Sequence, residues 1–246
     1  MAGGVGCGRV KQLPFIIAVL VLIVAYVFVW NKKDAGPQSV AQSEPPKVIP
    51  KQPEPPKAVP NKLIADPIVE KAIRGPFCLK KPKGELTKAD LEEVRDLNLF
   101  YTEITDEGLK DVAKLKQLLS LSLGRTKITD AGLKEVVNCK QLTNLALSST
   151  PITDAGLKEV AKMTQLTTLW LYGAEITDAG LKEVAKLKQL EVLWLDDTQI
   201  TDAGLKDLAN LEKLTHLNLY DTKVTKAGIA ELQKAMPECK IGHDFE

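Results

Sequence analysis

The chain has 246 residues, 33 basic against 32 acidic side chains, and a net charge of +1. That length allows one or two domains, and that charge argues against a gross attraction to nucleic acid. The balance is uneven, because residues 1–82 carry 12 basic and 5 acidic groups whereas residues 83–246 carry 21 and 27. The C-terminal two-thirds is therefore mildly acidic, and nucleic-acid binding by it is not expected.

Residues 1–12 form a small-residue tail carrying Arg9 and Lys11. From Leu13 to Trp30 the chain then runs without a single charge. At about 1.5 Å per residue this stretch spans roughly 27 Å, close to the hydrocarbon thickness of a bilayer. Trp30, Lys32 and Lys33 resemble an interface anchor, and a transmembrane helix is expected over 13–31. A cleaved signal peptide is the competing reading, but no A-x-A-like site follows Trp30. No cysteine closely follows the apolar run, which argues against a lipoprotein. Basic residues are level on the two sides, so orientation rests on the short basic tail, which reads as a signal-anchor. The remainder is then expected outside the cytoplasm as part of a single-pass membrane protein.

Residues 32–61 read as a disordered Pro-rich linker. Eight prolines fall between Asp34 and Asn61, and Glu-Pro-Pro-Lys recurs at Glu44 and Glu54. Such a composition builds no core and favours extended polyproline II. Residues 62–93 are expected to form an N-terminal helical cap. Asp66 can cap a short helix with Pro67 at its first position, and Thr87 with Asp90 fits a capping box.

From 94 to 235 one phrase recurs. Its Ile-Thr-Asp core stands at Ile104, Ile128, Ile152, Ile176 and Ile200, each twenty-four positions after the last. Val224-Thr225-Lys226 is a degraded sixth copy at the same step. A fixed period of this size means a solenoid, whose unit buries its apolar face only by stacking on neighbours. Leu166, Leu169 and Leu171 give L-x-x-L-x-L, the last two alternating as in a short strand. Thr177 and Asp178 suit a helix N-cap, and Asp130, Asp154, Asp178 and Asp202 are accordingly read as caps. Leu181, Val184 and Leu187 follow at helical spacing. Residues 236–246 are expected to add a capping strand, since Ile241 falls one full period after Leu217.

One strand and one helix per period, with leucines at these offsets, resembles the leucine-rich repeat. The resemblance is closest to the F-box-associated, cysteine-containing subtype, L-x-x-L-x-L-x-x-[CT]-x-I-T-D-x-G-L, found in many bacterial membrane-anchored repeat proteins. Here the cysteine column holds Thr102, Thr126, Thr150, Ala174, Thr198 and Thr222. Ala174 has no hydroxyl, and the column argues against an asparagine ladder. The resemblance implies an α/β solenoid: a right-handed horseshoe arc of about six repeats, with a parallel sheet on the concave side and helices on the convex side. Nothing upstream resembles an F-box, so no ubiquitin-ligase role carries over.

Catalytic chemistry finds no purchase. The four cysteines, at 7, 78, 139 and 239, lack zinc spacing, and Cys139 shares a column with core leucines. With two histidines and no triad or phosphate loop, the chain is read as a non-enzyme without cofactor or metal. The informative residues are aromatic. Trp170 and Trp194 fall between the strand leucines of successive repeats, so they should lie side by side, uncovered, on the concave wall. Tyr172 and Tyr220 flank Asp196 further along, with Asp197 and Asp221 at the strand ends and His216 in an exposed column. Trp and Tyr dominate binding hot spots. These eight residues are expected to bind a protein or peptide, a basic one given the acidic rim. A glycan stacking on the rings is the second reading, and a self-associating structural protein the third. Rings that merely brace the sheet are the bland alternative.

Overall fold

In the computed structural model, residues 62–76, 78–81 and 83–245 are described. They fall within one compact unit, Pro56–Glu246. The expected span over 13–31 and the whole Pro-rich linker over 32–61 lie outside the described residues, and among the described residues no helix is long and apolar enough to cross a membrane.

The N-terminal cap forms as its residues require. Helix α1 (Pro67–Arg74) starts where Asp66 Oδ1 accepts from the amides of Ile68 and Val69, at 2.8 and 2.9 Å. Its Val69 and Ile73 are fully buried. Helix α2 (Lys88–Glu93) opens on the Thr87–Asp90 capping box.

Six units follow. Strands β1 (Asp96–Asn98), β2 (Ser120–Ser122), β3 (Asn144–Ala146), β4 (Thr168–Trp170), β5 (Val192–Trp194) and β6 (His216–Asn218) alternate with helices α3 (Leu109–Val112), α4 (Asp130–Val136), α5 (Asp154–Val160), α6 (Asp178–Val184), α7 (Asp202–Leu208) and α8 (Lys226–Ala235). Strand β7 (Lys240–Gly242) closes the series, pairing Ile241 with Leu217. All seven strands make one parallel sheet in sequence order, each residue facing its counterpart one period on. Helices pack about 8–10 Å apart and strands about 4.8 Å apart, so the stack curves with its sheet inside.

The core lies between sheet and helices. Leu118, Leu121 and Leu123 and their counterparts in later repeats are essentially inaccessible, as are Ile104, Ile128, Ile152, Ile176 and Ile200. Each of β1 to β6 ends in a turn whose residue takes left-handed backbone: Tyr101, Arg125, Ser149, Gly173, Asp197 and Asp221, with φ between 52° and 65°. The threonines that follow clamp that turn. Thr102, Thr126, Thr150, Thr198 and Thr222 donate their hydroxyls to the leucine carbonyl three residues back at 2.5–2.7 Å. Ala174 has no such bond to offer, and the residue before it is the one glycine of the left-handed column. Where the clamp is missing, the backbone conformation costs least.

The recurring aspartates do something other than capping. The threonines cap, Thr129, Thr153, Thr177 and Thr201 each accepting from the amide two residues on. Each aspartate instead reaches into the next repeat. Asp154 Oδ1 accepts from the Thr177 amide at 2.9 Å and Oδ2 from the Thr177 hydroxyl at 2.6 Å. Asp106, Asp130, Asp178 and Asp202 do the same for Thr129, Thr153, Thr201 and Thr225. A carboxylate with two acceptor oxygens matches an amide and a hydroxyl on one residue, whereas a cap uses only its own helix's amides. The glycine of Ile-Thr-Asp-Ala-Gly makes room for it. A Cβ on Gly180 would collide with Asp154 Oδ1 and stand 2.8 Å from Leu157 Cδ1.

The cap is joined to the first repeat by a different aspartate. Asp111, 5% exposed, accepts from the amides of Ala65 and Asp66 at 2.6 Å and pairs with Lys114 at 2.6 Å.

Candidate functional site

Strand alternation sets the inner face. With Leu169, Leu193 and Leu217 directed into the core, the residues on either side of each face the inside of the arc. Trp170 and Trp194 are partners in register, and their ring centroids lie 5.5 Å apart at 37°. Their adjacency agrees with expectation.

Their exposure does not. Trp170 is 5% exposed and its indole Nε1 is buried without a hydrogen-bond partner among the described residues, while Trp194 is half-buried. The ring stands outside the leucine core, beside Ala146 on one strand and Trp194 on the other. Ala146 presents only a methyl group at the position paired with Trp170, and Trp194 packs against the indole from the next strand. Ser120, Ser122, Ala146 and Thr168 are buried on the same face. The inner wall is thus closed over β2 to β4 and opens from β5 onward.

On the open part the remaining candidates converge. Tyr172 and Tyr220 are 40% and 43% exposed, on either side of Asp196 in strand order. Asp196 Oδ1 accepts from the Tyr220 amide at 3.1 Å, and the Asp221 amide donates to Asp244 Oδ2 at 2.8 Å. Burial pushes the Asp196 carboxyl above its ordinary range, against the Tyr220 amide, and the nearby Asp221 and Asp244 push the same way. Among the described residues no ion pair engages Asp196, Asp197, Asp221 or Asp244, whereas Glu103, Glu107, Glu159 and Glu183 each meet a lysine.

His216 stands apart from this group. It is exposed, its registered neighbours are Val192 and Lys240, and its Nδ1 lies 2.9 Å from the Thr215 hydroxyl. No set of His, Cys, Asp and Glu among the described residues is placed to hold a metal ion. Asp244, by contrast, belongs to the cluster and escaped the sequence reading. Its signal was present, since Asp196, Tyr220 and Asp244 occupy one column of the repeat. The free thiol of Cys139 is fully buried and its pKa is pushed by burial to about 11, which makes it inert.

Residues 94–113, 115–137 and 138–161 match the family model described as leucine rich repeat. No curated protein matches the chain. Among solved structures, an internalin C2 from Listeria monocytogenes is similar over 73% of this chain and 83% of its own, at 26% identity and a TM-score of 0.54. An internalin (inlF) of the same organism matches 64% of this chain at 27% identity and a TM-score of 0.51. A leucine-rich-repeat protein of Leptospira interrogans matches 63% at 29% identity and a TM-score of 0.50. The chain spans about half, 49%, of that inlF internalin and 38% of the Leptospira protein. Proteins of this fold typically mediate protein–protein interaction and are typically non-catalytic scaffolds. The family model over these three segments and the unbroken repeat register of the sheet both make this chain similar to the leucine-rich repeat proteins.

Proposed function

We propose that the chain is a membrane-tethered, non-catalytic recognition module that binds a protein or peptide through the inner face of its last repeats. The supporting observation is the open patch at the ends of β4 to β7. Two exposed tyrosines and a half-buried tryptophan lie there with four carboxylates that have no ion-pair partner among the described residues. Exposed aromatic rings in one patch are costly unless covered, and Tyr and Trp carry much of the energy of interfaces. The uncompensated carboxylates favour a basic partner. Threonine in the cysteine column, bonded to its own repeat, fits the cysteine-containing repeat subtype. The apolar run at Leu13–Trp30 is the basis for the tether, with the repeats on the extracytoplasmic side of a bacterial envelope.

A photo-crosslinking residue at Tyr172 or Tyr220 should capture a partner on intact cells, and one at Lys182 on the helix side should not. Equal capture from both sides would refute the assignment of the face. A glycan is the second reading, favoured by carboxylates beside exposed rings; retention of a saccharide on an array, abolished by Tyr220→Ala, would select it. Light scattering of the Pro56–Glu246 unit distinguishes the structural alternative, which requires mass to rise with concentration.

A further inference from the structure

At the N-terminal end of the solenoid a cavity of about 610 Å³ opens between α2 and the segment after α3. Four cations line it, Lys88, Arg95, Lys114 and Lys116, against the single carboxylate of Glu92. This concentration of positive charge sits in a chain whose residues 83–246 carry 21 basic against 27 acidic groups. Lys114 is neutralised by Asp111 at 2.6 Å. Arg95 and Lys116 are held by backbone carbonyls, which orient a cation without cancelling it. Arg95 Nη1 donates to the Glu92 carbonyl at 2.6 Å and Lys116 Nζ to the Ala113 carbonyl at 2.7 Å. With Lys88, three cations then face one carboxylate.

The position of the groove matters as much as its charge. Leu63 lines it, one residue after the start of the described chain, and the Leu63 carbonyl accepts from Lys114 Nζ at 2.8 Å. The described chain therefore begins beside this groove. We propose that the groove takes the phosphate of an anionic lipid headgroup at the membrane surface. The choice of a lipid over a soluble phosphate ester rests on the tether in the proposed function. Its volume lies within the range of about 300–1,000 Å³ usual for small-ligand sites. Basic side chains near an anionic bilayer add affinity about five-fold each, an effect that fades within a Debye length and with salt.

The test uses the compact unit Pro56–Glu246, whose core is closed at both ends by α1, α2 and β7. It lacks the apolar run, so its result is independent of the tether. Co-sedimentation with phosphatidylcholine vesicles containing phosphatidylglycerol should exceed that with phosphatidylcholine alone and fall as salt rises. Lys88→Ala with Lys116→Ala should weaken it about 25-fold, and Lys182→Ala on α6, three repeats along the stack, should not. If the double variant melts early, Lys88→Glu, on an exposed face of α2, replaces it. Equal binding to both vesicles, or undiminished binding by either variant, overturns the proposal. So does tight binding of glycerol phosphate or of a DNA duplex without vesicle binding. If the full chain fractionates away from membranes while the unit still binds phosphatidylglycerol, the tether fails and the groove stands.

Discussion

The helix side and the sheet side of one repeat obey different rules. On the helix side, Asp154 is bound by Thr177, Gly180 makes room for Asp154, and Leu181 packs beneath, in a pattern repeated along the stack. On the sheet side the column Asn98, Ser122, Ala146, Trp170, Trp194, Asn218 and Gly242 changes at almost every step. Every internal repeat must receive the next one through its helix-side ladder, so those residues have no freedom. The inner wall meets the next repeat through the strand and through contacts that differ from step to step, such as Trp170 on Trp194 and Asp196 on the Tyr220 amide, so its side chains are not held to one pattern.

The sharpest break in that comparison is a pair of neighbouring substitutions on β5. Leu193→Ala empties a fully buried site and should cost about 2–5 kcal/mol. Val192→Thr, adjacent but half-buried on the inner side, should stay within about 0.5 kcal/mol. Urea unfolding measures both, and equal costs would deny the two faces their different roles.

The ladder comes next. Asp154→Ala removes a carboxylate holding an amide and a hydroxyl of the following repeat and should cost about 2 kcal/mol. Gly180→Ala should cost a similar amount, since its methyl would occupy the space of Asp154 Oδ1. Because both act on one contact, the double variant should fall short of the sum by more than about 0.5 kcal/mol. Additive losses would mean that the glycine serves some other purpose.

The repeat period, the strand and helix of each unit and both caps were legible because each rests on local signals: leucine spacing, Thr87 three positions before Asp90, Pro67 after Asp66. What escaped depends on contacts between units. An aspartate after a threonine reads as a helix cap in one dimension, and only stacking shows that its partner is the threonine of the next repeat. Asp111 carries no local signal of its role, because its partners are the amides of Ala65 and Asp66, some 45 residues earlier. Alternation correctly put Trp170 on the inner side but carries no information about how its neighbours cover it.

That distinction makes the two tryptophans separable. Trp170→Phe removes a buried N–H with no partner among the described residues and should leave stability within about 1 kcal/mol of the parent. Trp194→Ala loses the ring pair with Trp170 and should cost about 1 kcal/mol or more, and it should also reduce capture of a partner. A partner lost with Trp170→Phe and kept with Trp194→Ala would move the site back to the closed wall.

The smallest effect concerns two carboxylates, Asp90 on α2 of the cap and Asp196 just after β5. Lys81 above all, and then the Thr87 amide and hydroxyl, hold Asp90 down to about 2. Asp196 is raised, chiefly by burial. Their signs are therefore opposite. Asp90 contributes stability above its ordinary 3.8, lost as pH falls through about 2. Asp196 binds its proton more tightly folded than unfolded, so its contribution is complete below 3.8 and is lost as pH rises through its folded value. At neutral pH the ionised Asp196 opposes folding, and Asp196→Asn should melt slightly higher than the parent there, with the gap closing as pH falls below 3.8. Trp194 ends β5 two positions before Asp196, so its fluorescence should titrate in the parent and not in the variant. A gap that widened towards acid would assign Asp196 a stabilising ionic contact and leave less free charge for a basic partner to meet.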